Sequence, residues 1–121
     1  MTINEAIAEA CTAVSEAIGR EELKSWLCEI EASVIHEIAD THEGDGCPYM
    51  AITPDSEGDR LLFVPDPYSR LYVNYLVMKS DLSLRDTVQY ENSAAVFAES
   101  YKTFADWYNR TYMPLGERIR L

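Results

Sequence analysis

Apolar residues along the first forty positions recur at helical rather than strand spacing. Ile3, Ile7, Cys11, Val14 and Ile18 step by three or four, with Ala6, Ala10, Ala13 and Ala17 beside them, which is the stripe of an amphipathic helix. Thr2 followed by Glu5 predicts a capping box, in which each side chain meets a backbone donor left orphaned at the helix start. Gly19 ends or bends this helix, and Thr12 and Ser15 weaken its centre enough to allow an earlier break. A second helix is predicted over 21–39, with Glu21 and Glu22 at its positive N-terminal end. Leu23, Trp26, Leu27, Ile30, Val34 and Ile38 form its buried stripe, and Glu29, Glu31 and Glu37 are expected to face water. Two glycines and three acids make 40–46 a loop.

The pattern then changes. Tyr49 to Ile52 and Leu61 to Val64 are strand-like runs joined by a turn-rich stretch, and they predict a short β-hairpin. Asp66-Pro67 predicts the start of a third helix, with Asp66 as N-cap and proline at the first helical position. Leu71, Tyr72, Tyr75, Leu76 and Lys79 carry it to about Ser80. Ser83 and Asp86 predict a second capping box opening the last helix. There Tyr90, Ala94, Phe97, Tyr101, Phe104 and Tyr108 repeat at steps of four and three, a heptad seam. That helix runs to about Arg110 and is stopped by Pro114 and Gly116. The predicted fold is mainly α: one domain over 1–121, an antiparallel bundle of about four helices with one small β-hairpin between the second and third. Trp26, Ile30, Val34, Leu71, Tyr75, Phe97, Tyr101 and Phe104 are its expected core.

Composition adds three constraints. With 121 residues, 47% hydrophobic and 26% charged, the chain is long enough to bury a core without a disulfide or metal. Three cysteines with no C-x-x-C pair read as a reduced, cytosolic chain, with Cys11 and Cys28 as inert core thiols. The N-terminus lacks the pattern of a signal peptide, and no segment approaches a membrane span. The net charge of −11 lies wholly in residues 1–60, where 14 acids face only Arg20, Lys24 and Arg60; residues 61–121 balance seven acids against seven bases. Such a surface disfavours nucleic-acid binding, which needs a basic face.

Candidate chemistry is sparse. His42, Glu43, Asp45 and Cys47 are close in sequence, but no second ligand pair follows, so a polar loop is expected rather than a zinc site. Asp55, Glu57 and Asp59 alternate like the start of a calcium loop, yet Arg60 holds the glycine position and Asp66 the place of the bidentate glutamate. A turn explains them. There is no nucleophile elbow and no glycine-rich phosphate loop. Neither a catalytic site nor a cofactor is expected. Eight Tyr, three Phe and two Trp exceed what one small core hides, so part of the set Tyr68, Tyr72, Tyr75, Trp107 and Tyr112 is expected to meet a partner.

Four segments carry a resemblance. Leu62-Phe63-Val64-Pro65-Asp66-Pro67-Tyr68-Ser69-Arg70-Leu71-Tyr72 resembles the L-V-P-D-P-Y-S-x-L-Y segment of small phage and prophage proteins of Gram-positive bacteria. Trp107-Tyr108-Asn109-Arg110-Thr111-Tyr112-Met113-Pro114 is similar to their closing Y-Y-N-R-T-H-M-P, with Tyr112 where histidine is frequent. Thr41-His42-Glu43-Gly44 and Gln89-Tyr90-Glu91-Asn92-Ser93 also match. The resemblance covers 60–114 and is loose before 35. It is to head–tail connector, or neck adaptor, subunits. It implies a virion neck protein made in the host bacterial cytoplasm, forming a homo-oligomeric ring under the portal. Portal and tail or neck proteins would be its partners, with DNA passing through unbound. The departure at Tyr112 removes any role that needs histidine there. On this reading the expected interface comprises Ile3 and Ile7 as an apolar edge, Tyr68, Tyr72, Trp107 and Tyr112 as aromatic contacts, and Arg118 and Arg120 pairing with a neighbour's acidic half. The competing readings are a small acidic DNA-mimicking or regulatory inhibitor, which needs carboxylates on one continuous face, and a hydrolase, which needs a pocket of convergent titrating groups.

Overall fold

The computed structural model describes residues 1–41 and 51–112. Four α-helices make up the fold: α1 (Ile3–Cys11), α2 (Arg20–Glu37), α3 (Arg70–Ser83) and α4 (Thr87–Thr111), with a short 3-10 turn at Ala39–Thr41. The capping box forms as the sequence predicts: Glu5 N–H donates to Thr2 Oγ1, and Thr2 N–H donates to Glu5 Oε1, both at 3.1 Å. α1 then stops at Cys11, and the Thr12 hydroxyl folds back onto the Glu9 carbonyl at 2.7 Å. The early break follows from side chains that compete for backbone groups. Cys11 is exposed and Cys28 half-buried, so neither is a fully buried core thiol.

α3 lies at the centre. Contacts between Glu29 and Tyr75 and between Glu31 and Tyr72 run in opposite senses along α2 and α3, which are antiparallel. Asn74 with Ser100, Tyr75 with Phe97 and Tyr68 with Trp107 set α4 antiparallel to α3. α1 packs across α2 and α3. Leu71, Tyr72 and Leu76 of α3 are fully buried, together with Ile3 and Ile7 of α1, Leu23, Leu27 and Val34 of α2, and Phe104 of α4. Of the expected core, Trp26, Ile30, Val34, Leu71 and Phe104 are buried, whereas Tyr75, Phe97 and Tyr101 are only half-buried.

The expected β-hairpin is absent among the described residues. Residues 51–64 contain turns and one isolated bridge, between Thr2 and Leu61; Tyr49 and Met50 lie outside the described residues. The second run pairs with the N-terminus instead. Ile3 and Asn4, whose N–H groups lie in the first turn of α1 and have no intrahelical acceptor, donate to the carbonyls of Arg60 (3.1 Å) and Gly58 (2.9 Å), while Leu62 N–H donates to Met1 O at 2.9 Å. Ile52, Leu62 and Val64 drop into the core between these contacts. Asp55, Glu57 and Asp59 sit in exposed turns, and Thr53 and Ser56 bond each other's backbone there, with Ser56 N–H to Thr53 O and Thr53 N–H to Ser56 Oγ both at 2.9 Å.

α3 begins at Arg70 rather than at Pro67. The Asp66–Pro67 peptide is cis, and 65–69 form turns, with Tyr68 N–H on Pro65 O at 2.9 Å and the Ser69 hydroxyl on the Asp66 carboxylate. Ser83 belongs to α3, and Asp86 alone caps α4 by accepting from Gln89 N–H at 3.1 Å. Between them the chain closes α3 with a Schellman turn: Asp86 N–H donates to Asp81 O and Arg85 N–H to Leu82 O, each at 3.1 Å. This motif wants a left-handed residue, and Arg85 supplies it at φ 58. A side chain there carries a steric cost that glycine lacks. Arg85→Gly should therefore raise stability by about 0.5–1 kcal/mol, net of glycine's extra chain entropy, as measured by chemical denaturation.

Candidate interaction site

The last turns of α4 place Phe104, Trp107 and Tyr108 on neighbouring positions of one face. Tyr112, at the C-cap, continues it, its N–H donating to Tyr108 O at 2.8 Å. Phe63 and Tyr68 come to the same place from the loop before α3. The rings form one connected cluster. Tyr68 stacks on Trp107 with centroids 5.0 Å apart, Phe63 meets Phe104 edge-on at 6.3 Å, and Tyr108 lies 4.5 Å from Tyr112. Phe104 and Tyr108 are buried at its base, while Phe63, Tyr68, Trp107 and Tyr112 remain half-buried at its rim. Rings with one side dry and one side wet form the kind of surface that binds another protein.

Beneath the cluster lies a polar knot. Glu31 is 2% exposed, not solvent-facing as expected. Its Oε2 accepts from Phe63 N–H at 2.9 Å and its Oε1 from the Tyr72 hydroxyl at 2.5 Å; that hydroxyl accepts in turn from Val64 N–H at 2.8 Å. The knot fastens the loop bearing Phe63 to α2 and α3. Burial pushes the Glu31 carboxyl above the usual carboxylate range, against the opposing pull of the Tyr72 and Phe63 hydrogen bonds. Burial and the facing carboxylate both push the Tyr72 hydroxyl up. Two further tyrosines bond α2 carboxylates at the surface: Tyr75 to Glu29 at 3.2 Å and Tyr101 to Glu37 at 2.6 Å. Burial first, then Glu29, pushes Tyr75 up to about 12. Part of the acidic half is thus held by hydroxyl donors, with Lys79 also reaching Glu29 at 3.6 Å.

The raised Glu31 carboxyl has a definite pH sign. Below the ordinary carboxylate value it is protonated both folded and unfolded, and its contribution is complete. As pH rises through its raised folded value the buried charge is imposed on the fold, so stability falls. Melting curves taken upward from that ordinary value should show the wild type losing ground relative to Glu31→Gln, which cannot ionise. Parallel curves would show that Glu31 does not titrate abnormally.

Of the expected interface residues, the structure brings Tyr68, Trp107 and Tyr112 together. Ile3 and Ile7 are corrected: they are 0% and 1% exposed and pack inside the subunit, because the short α1 turns Ile3, Ala6, Ile7 and Ala10 inward as it packs on α2 and α3. Tyr72 is likewise internal, in the knot. Arg118 and Arg120 lie outside the described residues, as do His42, Glu43, Asp45 and Cys47. Sequence reasoning passed over Phe63 as a strand residue and Glu31 as solvent-facing. The signal for Glu31 was present, since it falls on the stripe of Leu27, Ile30 and Val34. Among the described residues no three metal-binding side chains converge, and no helix is long and apolar enough to cross a membrane. The chain matches no protein-family model, no curated protein and no solved structure.

Proposed function

We propose that this protein is a non-catalytic structural subunit of a phage neck, a head–tail connector that assembles as a ring beneath the portal. One observation carries the reading. Two of the segments in which the chain resembles that family, 62–72 and residues 107–112 of the closing motif, are far apart in sequence yet build one aromatic cluster, with Tyr68 stacked on Trp107 at 5.0 Å. Motif segments that meet in space at half-buried rings suit a surface that contacts another protein. The uneven charge supports the same role. A ring through which DNA passes needs a lining that does not hold phosphates, and the −11 of residues 1–60 supplies one. Portal and tail or neck proteins are the partners on this reading, with no cofactor.

Loss of the gene from a phage or prophage tests it. Capsid assembly, DNA packaging and tail assembly should proceed, and only joining should fail, with packaged DNA prone to leak. Electron microscopy should show filled or partly emptied heads lying apart from free tails. Normal virions, or a block before capsid formation, would overturn the proposal.

A further inference from the structure

Among the described residues Glu31 is the only charged side chain that is buried, and its hydrogen-bond partners are all neutral. Its Oε2 accepts from Phe63 N–H and its Oε1 from the Tyr72 hydroxyl, which itself accepts from Val64 N–H. No lysine or arginine of the described residues forms an ion pair with it. The charged and titratable groups that act on it come from three elements: the Arg60 guanidinium from the loop, Tyr72 from α3 and, one turn back on α2, the Cys28 thiol. α4 adds Tyr108, whose ring lies 6.0 Å from that of Phe63, and the buried residues of α1 are all apolar.

The hydrogens of this knot can be counted. An ionised carboxyl only accepts, whereas a protonated one also donates. Three donors, the Phe63 N–H, the Val64 N–H and the Tyr72 hydroxyl, already meet three acceptors, so every hydrogen has a place when Glu31 is ionised. A proton on the carboxyl is a fourth. Directed along Oε2 toward the loop, it meets the Phe63 N–H. Directed along Oε1 toward Tyr72, it takes the hydroxyl oxygen and displaces that group's own hydrogen. Turned away from both, it is a buried donor without an acceptor, which is costly. No placement satisfies all four hydrogens with the three bonds kept.

We infer that Glu31 is a proton-operated latch on the 61–68 loop: ionised, it holds Phe63 and the aromatic rim in place; protonated, it gives up one bond and lets the loop move. The latch rests on the reading of that rim as a contact surface and supplies its regulation. A partner that needs the rings fixed binds the ionised form, so its binding weakens in acid. Burial raises the Glu31 carboxyl, so the proton arrives in milder acid than at an exposed glutamate. Loop order and overall stability then move in opposite directions. Lowering the pH removes a buried charge, which stabilises the fold relative to the unfolded chain, while the same proton loosens the loop.

Amide NMR of the purified chain reads the latch without phage or partner, so its failure and that of the neck reading are distinguishable. On a pH series from above neutrality down to the ordinary carboxylate value, the Phe63 or Val64 amide should shift together with the Glu31 carboxyl carbon, at one midpoint above that value. Exchange protection of the shifted amide, corrected for the intrinsic rate, should fall by about tenfold. Glu31→Gln places an N–H donor where the protonated carboxyl has its O–H, so its loop signals should resemble the acid form of the wild type at every pH. Tyr72→Phe removes a donor to the carboxylate and should move the midpoint to higher pH; it serves as the second variant should Glu31→Gln fail to fold. Loop amides that do not follow Glu31 would overturn the latch. So would the same transition in Glu31→Gln, a midpoint at or below the ordinary carboxylate value, or a midpoint that Tyr72→Phe leaves unmoved.

Discussion

Phe104→Ala should destabilise the protein by about 3–5 kcal/mol. Phe104 is completely buried and touches four rings: Phe63 at 6.3 Å, Tyr68 at 6.0 Å, Trp107 at 6.0 Å and Tyr108 at 5.8 Å. Truncation removes its transfer energy and leaves a void between α3, α4 and the 63–68 loop that rigid neighbouring rings cannot fill. Domains of this size have total stabilities of roughly 5–15 kcal/mol, so the variant should melt lower by on the order of 10 °C or more. It should also lose near-ultraviolet dichroism, because Trp107 would no longer be held by its neighbours. Phe97 provides the contrast. Among the described residues its ring contacts are Tyr75 and Tyr101, and it is half-buried at the edge of the core, so Phe97→Ala should cost clearly less, although the sequence ranks both as core. Equal losses at 97 and 104 would mean that the half-open seam of α4 is as well packed as its base.

Glu31→Ala should be comparably damaging, by a different route. It leaves the Phe63 N–H and the Tyr72 hydroxyl as buried donors without an acceptor, each costing about 1–3 kcal/mol. Tyr72→Phe leaves Val64 N–H without its acceptor and Glu31 short of one donor, and should cost less than Glu31→Ala. Because both changes dismantle one network, the double variant should be less destabilised than the sum of the two, by about 0.5–3 kcal/mol. Chemical denaturation of the four proteins measures that coupling. A strictly additive result would show that the carboxylate and the hydroxyl do not act together. The same variants should loosen the loop that carries Phe63 and Tyr68, so the aromatic cluster would lose its fixed arrangement even where the helices persist.

What the sequence determined by itself is local. The capping box of Thr2 and Glu5, the buried stripe of α2, and the seam and end of α4 all depend on residues three or four apart, and such contacts form wherever the segment is helical. The surplus of aromatic residues was equally legible, as was the concentration of negative charge before residue 61. Tertiary structure decided everything that turns on competition between distant groups. Leu61 to Val64 had the composition of a strand, but the Met1 carbonyl took the Leu62 N–H, the Glu31 carboxylate the Phe63 N–H and the Tyr72 hydroxyl the Val64 N–H, and a strand without a partner has no ladder. Ile3 and Ile7 were apolar in either case; whether their stripe faced solvent, a neighbour or the core depended on how α1 crossed α2 and α3. Glu31 was misread because its charge argues for water, whereas its helical position, with a hydroxyl and an amide converging on it from residues 72 and 63, argues for the interior. The pairing of Tyr68 with Trp107 spans 39 residues of sequence. No periodicity encodes such a contact, since it exists only once α3 and α4 have docked and closed the loop between them.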